Sequence, residues 1–303
     1  MVRNSHPNDT KRTPCGGAAR AGLARHSQPH RQQTTTVRNV NPQGCIAVVT
    51  GAAGGIGGAL VRALTQAGAT AVVAADLVTP PDQGPHTHPR QLDVTDEAAT
   101  RALIVNTERD LGPVDMFFAN AGIAGAGGPE APDNTWQRQW QVHVMAHVYA
   151  ARALLPGWIE RREGHLITTA SMAGLLTTLN DAAYAATKHA AVGFAEWLAI
   201  NYGAQGIRVS CVCPGAVNTE MLRSGAGGDA VKAAAAIGGG DLLSPDEAAA
   251  RILAAVAEDQ FLILTHPDMQ QLTIRKAEDP ERWVRGMQRL RARAQDLLAE
   301  RDG

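Results

Sequence analysis

Tyr184 and Lys188 stand one helical turn apart in the run YAATK at 184–188. That spacing puts a phenol and an ammonium on one face of a helix. A free tyrosine loses its proton near pH ~10, and a cation beside it favours the phenolate. The expectation is that Lys188 lowers the pKa of Tyr184, so that the phenol exchanges a proton with an alcohol or carbonyl oxygen at moderate pH. Ser171 lies thirteen residues earlier, at the end of a strand-like run. Its hydroxyl is placed to hold the same substrate oxygen. Each feature also has a plainer reading: a surface Tyr–Lys pair, and a serine in a turn or cap.

A second group of residues points to a phosphate-bearing ligand. The run TGAAGGIG at 50–57 follows an apolar stretch at 45–49 and precedes a helical pattern. Strand, glycine-rich turn and helix start together form a phosphate site from backbone alone. Gly51, Gly55 and Gly57 permit the tight turn and the close approach of a pyrophosphate, and Gly54 and Ile56 complete the loop. The helix N-terminus then offers unpaired N–H groups and a positive dipole end. Asp76 closes the next apolar run and is placed to accept the ribose hydroxyls of an adenosine, with Leu77 adjoining it. Its carboxylate pairs with a free 2′-hydroxyl and repels a 2′-phosphate. No cation stands at Ala52, Ala53, Leu77 or Val78 to reverse that, so the expected cofactor is NAD and not NADP.

These groups need a scaffold that brings strand ends together. Apolar strand-like runs occur at 45–50, 70–76, 90–92, 114–120, 165–171, 207–213 and 261–265, with helical patterns between most of them. Such continuous runs are buried on both faces, which means a parallel sheet. Right-handed crossovers give an α/β fold, a Rossmann-like doubly wound seven-stranded sheet with helices on both faces. Gly51, Asp76, Asp93, Asn120, Ser171 and Pro214 all sit at carboxyl ends of strands, where such sheets bind ligands. Ser244-Pro245-Asp246-Glu247 predicts a capped helix start. The Gly- and Ala-rich stretch 223–240 reads as a mobile lid or as a small-residue helix on the sheet. The tail 268–303 is expected to be helical, with arginines along it and Trp283, Met287 and Leu290 at a spacing near four. It reads as a solvated amphipathic helix, with partner or phosphate binding as the lesser alternative.

Bulk properties narrow the class. The chain has 303 residues, 45 % of them hydrophobic, and a net charge of −1. No global basic field points to nucleic acid, and no run of 18 apolar residues points to a membrane span. Residues 1–42 carry seven arginines and lysines from Arg3 to Arg38 against the single acid Asp9. That composition resembles a transit peptide but shows no amphipathic period, so a disordered extension is expected. Cys211 and Cys213 share a strand face and read as small buried residues. No further ligands stand near them, so no metal site is expected. The cysteine usage fits a reducing, cytoplasmic setting.

In these motifs the chain resembles the short-chain dehydrogenase/reductase family in its common form of roughly 250 residues. The residues that carry the resemblance are the TGAAGGIG run, Asp76, Asp93-Val94, Asn120-Ala121-Gly122, Ser171, the YAATK run and the run PGAVNT at 214–219. They follow the family's order and spacing over about residues 43–267. The resemblance implies that Tyr184 is the general acid/base and that Ser171 orients the substrate. Lys188 would hold the nicotinamide ribose beside Tyr184. Asp93 and Val94 would meet the adenine, and Asn120, Ala121 and Gly122 would line the cleft. Pro214, Gly215, Val217 and Thr219 would border the nicotinamide.

One catalytic place departs from the family. An asparagine usually holds a relay water in the helix after the Asn-Ala-Gly run, and here His143 occupies that position. Two expectations stand: a proton relay through His143 with altered pH dependence, or a histidine that merely satisfies a buried backbone group. The resemblance implies an NAD-dependent enzyme that interconverts a secondary alcohol and a ketone, commonly as a homodimer or homotetramer. A modest, mostly apolar substrate is expected between 123–128, 172–178 and the residues from Met221 onward, with Thr177, Thr178 and Asn180 as polar anchors. The alternatives are a non-catalytic NAD-binding sensor or scaffold, supported only by His143, and an epimerase or dehydratase, whose usual longer substrate domain is missing.

Overall fold

The computed structural model describes residues 42–224 and 241–302. The expected N-terminal extension, Pro42 apart, and residues 225–240 of the expected lid lie outside the described residues. Seven strands form one sheet: β1 (Ile46–Thr50), β2 (Ala71–Asp76), β3 (Thr87–Gln91), β4 (Met116–Ala119), β5 (Gly164–Thr169), β6 (Ile207–Cys213) and β7 (Leu262–Leu264). Their order is β3-β2-β1-β4-β5-β6-β7, and every pairing is parallel. The order reverses beside β1, so a crevice opens between the carboxyl ends of β1 and β4. The expected Rossmann-like doubly wound sheet is therefore the observed one.

The central strands are legible for a physical reason. β1 reads IAVVT and is buried throughout, as are β4 and β5. Helices cover both faces, so no polar alternation is selected. One apolar layer joins Val48, Phe117 and Leu166 to Trp158 and Leu198, and the other joins Val49, Phe118 and Ile167 to Leu60 and Ile252. The third strand was expected at 90–92 and lies at Thr87–Gln91. It is an edge strand reading THPRQ and half-exposed, so no apolar run marks it, and Pro89 fits an edge position.

The helices are α1 (Gly55–Gln66), α2 (Glu97–Asp110), α3 (Asp133–Trp140), α4 (Ala146–Arg161), α5 (Ala173–Leu176), α6 (Ala182–Tyr202), α7 (Glu220–Ser224), α8 (Pro245–Ala257), α9 (Met269–Glu278) and α10 (Pro280–Asp302). A π-helical turn, Gln141–Met145, joins α3 to α4 and carries His143. The capping box expected before α8 is present: Glu247 N–H donates to Ser244 Oγ at 3.2 Å, and Ser244 N–H donates to Glu247 Oε2 at 2.8 Å. The tail is helical as expected but broken at Asp279-Pro280, because a proline disfavours helical geometry in the residue before it. All described residues belong to one compact unit.

Candidate active site

The glycine loop is built so that only glycine fits. Gly51 has φ +69°, and a Cβ there would lie 2.8 Å from Ala121 Cα. At Gly57 a Cβ would lie 2.0 Å from the Gly51 carbonyl oxygen. Thr50 Oγ1 accepts the N–H groups of Asn120 and Ala121 at 3.0 and 3.1 Å, tying the loop to the end of β4. Helix α1 follows its N-cap Gly54, with no side-chain cap and no acid in its first turn. Its first N–H groups are thus left for an anion. Asp76 Oδ2 accepts the Ala53 N–H at 2.9 Å, and Oδ1 accepts the Leu77 N–H at 2.7 Å. This cradle, with a carboxylate at its ribose end, fits a dinucleotide.

One cavity of about 790 Å³ runs along the carboxyl ends of the strands. Gly51, the 54–57 turn, Asp76, Leu77, Asp93, Val94, Asn120, Ala121 and Gly122 line it, with Pro214, Gly215, Val217 and Thr219. The sequence-expected cofactor residues are therefore all at its wall. Ser171, Tyr184 and Lys188 line it too, as do parts of the three expected substrate walls. Of the expected polar anchors, Thr177 and Thr178 face the cavity. Asn180 is not among the cavity's lining residues; its left-handed backbone (φ +65°) presents its carbonyl to Gly127 N–H at 2.9 Å.

Helix α6 positions the reactive pair. Lys188 is buried, donates Nζ–H to the Thr169 carbonyl at 2.9 Å, and lies 5.5 Å from the Tyr184 ring centre. Burial depresses its pKa to about 8. Tyr184 faces the cavity with part of its surface, yet its phenol is desolvated enough to raise its pKa above the usual value. A hydrogen bond with Ser171 pulls the other way, and Asp181 and Cys213 add to the rise. The expectation that Lys188 acidifies Tyr184 is thus corrected. In the protein alone desolvation dominates, because the lysine is itself desolvated and directed at a carbonyl.

His143 is fully buried behind the cavity wall. Its ring meets Tyr184 edge-on, with centres 5.3 Å apart. Nε2 accepts the Ile123 N–H at 3.1 Å, so Nδ1 carries the proton toward Thr187 Oγ1 at 2.9 Å. Thr187 in turn donates to the Ala183 carbonyl at 2.8 Å. Burial first, then the Lys188 charge, holds the His143 pKa well below its ordinary value. Both ring nitrogens are occupied within the protein. This arrangement matches the second of the two expectations, a histidine satisfying a buried backbone group. Cys211 and Cys213 are fully buried beneath the site, as expected of packing residues.

Two contributions were missed from sequence. Asp181 accepts three donors: Tyr184 N–H at 2.9 Å, Gly125 N–H at 2.8 Å and Gln139 Nε2–H at 3.1 Å. An aspartate just before a helical run is an N-cap signal that pointed to it. Met269, Leu272, Trp283, Met287 and Leu290 of α9 and α10 also line the cavity, so the tail's apolar stripe is not simply solvated.

The profile of the family described as "short chain dehydrogenase" matches residues 45–227. The chain belongs to the short-chain dehydrogenase/reductase family. It is 36 % identical over 236 residues to a 1-deoxy-11-beta-hydroxypentalenate dehydrogenase of Streptomyces avermitilis, covering 74 % of this chain and 85 % of that one. A short-chain dehydrogenase/reductase of Burkholderia phymatum, solved with NAD, superposes with a TM-score of 0.70 at 27 % identity. That match covers 80 % of this chain and 95 % of the other. The fold is shared with a short-chain dehydrogenase of Burkholderia cenocepacia solved with NADP, at TM-score 0.69 and 23 % identity over 80 % of this chain and 96 % of that one. The chain is thus an oxidoreductase of this family, acting on hydroxyl or ketone groups. Among the described residues no helix is long and apolar enough to cross a membrane.

Proposed function

We propose that the protein interconverts a secondary alcohol and a ketone with NAD(H), using Tyr184 as general acid/base. The observation that carries this is that Ser171, Tyr184 and Lys188 line the same cleft that holds the glycine cradle. NAD, held by the glycine cradle and Asp76, would supply the hydride chemistry at the carbinol carbon. The protein does the rest. Ser171 Oγ and the Tyr184 hydroxyl converge on the substrate oxygen. In ketone reduction Tyr184 gives its proton to that oxygen; in alcohol oxidation it takes the proton away. Lys188, bonded to the Thr169 carbonyl, would hold the nicotinamide ribose. His143 fixes the Ile123 turn and the Tyr184 ring edge, which makes it a positioning residue.

NAD is preferred over NADP in this reading because Asp76 stands at the ribose end, and the nearest loop positions, Ala52, Ala53, Leu77 and Val78, carry no charge. The one arginine on α1, Arg62, is bound to Asp246 at 2.5 Å. A homodimer or homotetramer belongs to the same proposal, supported by Trp197 and Ile200 exposed on α6. A cytoplasmic setting is supported by the buried free thiols of Cys45, Cys211 and Cys213. The sensor reading is not favoured, since Ser171, Tyr184 and Lys188 are all assembled at the cavity.

The test is Tyr184→Phe. Turnover of ketones should fall by about 10²–10⁴-fold, the usual contribution of a placed proton donor, while dinucleotide binding measured by fluorescence stays unchanged. Undiminished turnover rejects the assignment. Asp76→Ala should weaken NAD binding about tenfold and narrow its margin over NADP, in line with the loss of hydrogen bonds to a charged acceptor; tighter wild-type binding of NADP than of NAD rejects the cofactor assignment.

A further inference from the structure

We infer that α9 and α10 form a specificity wall, and that the pocket selects a ketone or secondary alcohol carried on a bulky aliphatic, ring-built body. This rests on the oxidoreductase reading above and names its substrate class. Trp283, Met287 and Leu290 fall at i, i+4 and i+7 of α10, a single stripe on one helix face. That stripe is half-buried and lines the same cavity as Ser171 and Tyr184. Arg282, Arg285 and Arg289 of the same helix are exposed. The polarity of α10 is therefore sorted by the cavity: its apolar face looks into the active site and its basic face looks out.

The wall is fixed in place. Lys276 Nζ of α9 donates to the Leu175 carbonyl of α5 at 2.5 Å. Asp279 Oδ1 accepts the Arg282 N–H at 2.9 Å and starts α10 where Trp283 reaches the cavity. Met172 and Leu176 line the cavity from the α5 side.

The lining chemistry specifies the ligand. Met172, Met221, Met269 and Met287 all face the cavity, four of the chain's seven methionines. Unbranched, polarizable methionines adapt to irregular aliphatic surfaces. Besides Tyr184, the aromatic rings lining it are Trp283 and the His266 imidazole, against a far larger aliphatic lining among the described residues. A small alcohol would leave this wall uncovered, whereas a non-planar hydrocarbon body removes it from water.

A size series of neutral ketones tests this: 2-butanone, cyclohexanone and 1-decalone, each with NADH. The wild-type kcat/KM should be at least about tenfold higher for 1-decalone than for 2-butanone, within the range that added methylenes give in an apolar pocket. Trp283→Ala and, as the milder change, Met287→Ala should raise KM for 1-decalone about tenfold with kcat nearly constant. For 2-butanone, which is too short to cover the wall, both should change kcat/KM less than they do for 1-decalone. In parallel, calorimetry with 1-decalone on the NAD-saturated Tyr184→Phe protein should still detect binding, and adding Trp283→Ala should weaken it about tenfold. Equal kcat/KM across the series, or variants that affect every ketone alike, overturn the inference. Calorimetric binding that depends on Trp283 without turnover of any ketone supports the pocket assignment and rejects the chemistry of the previous section.

Discussion

Asp181 caps the helix that carries Tyr184. Its Oδ1 accepts the Tyr184 N–H at 2.9 Å, while its Oδ2 accepts the Gly125 N–H at 2.8 Å from the segment that follows β4. One carboxylate thus ties the helix of Tyr184 to the Gly125 segment. The link is reinforced by backbone: Gly127 N–H donates to the Asn180 carbonyl at 2.9 Å, and Ala182 N–H to the Gly127 carbonyl at 3.0 Å.

Asp181→Ala should therefore damage stability and turnover together. It removes an N-cap, worth about 1 kcal/mol, and strands the Gln139 amide, which is buried. A stranded buried donor costs a further ~1–3 kcal/mol. Urea denaturation should show a loss of about 2–4 kcal/mol. Asp181→Asn should recover only part of it, because one of its two head atoms becomes a donor facing donors. Wild-type stability in the alanine variant would remove Asp181 from this role.

The pKa directions at the reactive pair predict opposite pH trends for the two reaction directions. Tyr184 is raised by burial, so at neutral pH it carries its proton and is ready to act as an acid. Ketone reduction should be near its maximum around neutrality and decline at alkaline pH. Alcohol oxidation needs the phenolate and should climb through the alkaline range. Lys188, with a pKa of about 8, loses its charge over the same range. Initial rates in both directions from pH 6 to 10 are the check; an oxidation rate that is flat over this range contradicts the raised phenol.

His143 should be silent in those profiles. Its pKa is held well below 6.5, so it stays neutral wherever the enzyme is assayed. His143→Asn should lower kcat/KM through a loosened Ile123 turn, yet leave the apparent pKa values of the profile in place. A profile displaced by half a pH unit or more would reinstate a titrating relay through the imidazole.

The sequence made the strand ends legible because buried parallel strands are apolar throughout and the reactive residues punctuate them. Gly51, Gly57 and Asp76 were readable one by one, since backbone clearance and charge leave few other options there. The edge strand at Thr87–Gln91 was not placed correctly, because half-exposed pairing needs no apolar run. The direction of the Tyr184 shift was misread for a related reason. Helical spacing fixes that Lys188 is near, whereas desolvation depends on how much of the surrounding chain closes over both groups. The stripe on α10 was visible as a stripe; its contact with a cavity built by β-strand ends far away in sequence was not.

Buried neutral histidines make acid stability the last check. His147 and His165 are pushed down to about 3 by burial, against an ordinary value of 6.5. Below pH 6.5 the unfolded chain takes up protons that the folded chain refuses, so stability falls as pH drops and is fully retained above that value. Each such histidine contributes a slope of about 1.4 kcal/mol per pH unit between 6.5 and its folded pKa. His147 isolates the effect, because neither of its ring nitrogens has a hydrogen bond of good geometry among the described residues, the Ala119 backbone lying near it. It borders a small cavity beside Thr100, whose hydroxyl is also unpaired. His147→Leu should hold or raise stability at pH 7, as it removes unpaired polar atoms. At pH 5 it should gain about 2 kcal/mol more relative to the parent, from the 1.5 units of slope removed. Urea titrations of both proteins at pH 7 and pH 5 decide it: an identical acid loss in the two would mean that His147 is charged in the folded state.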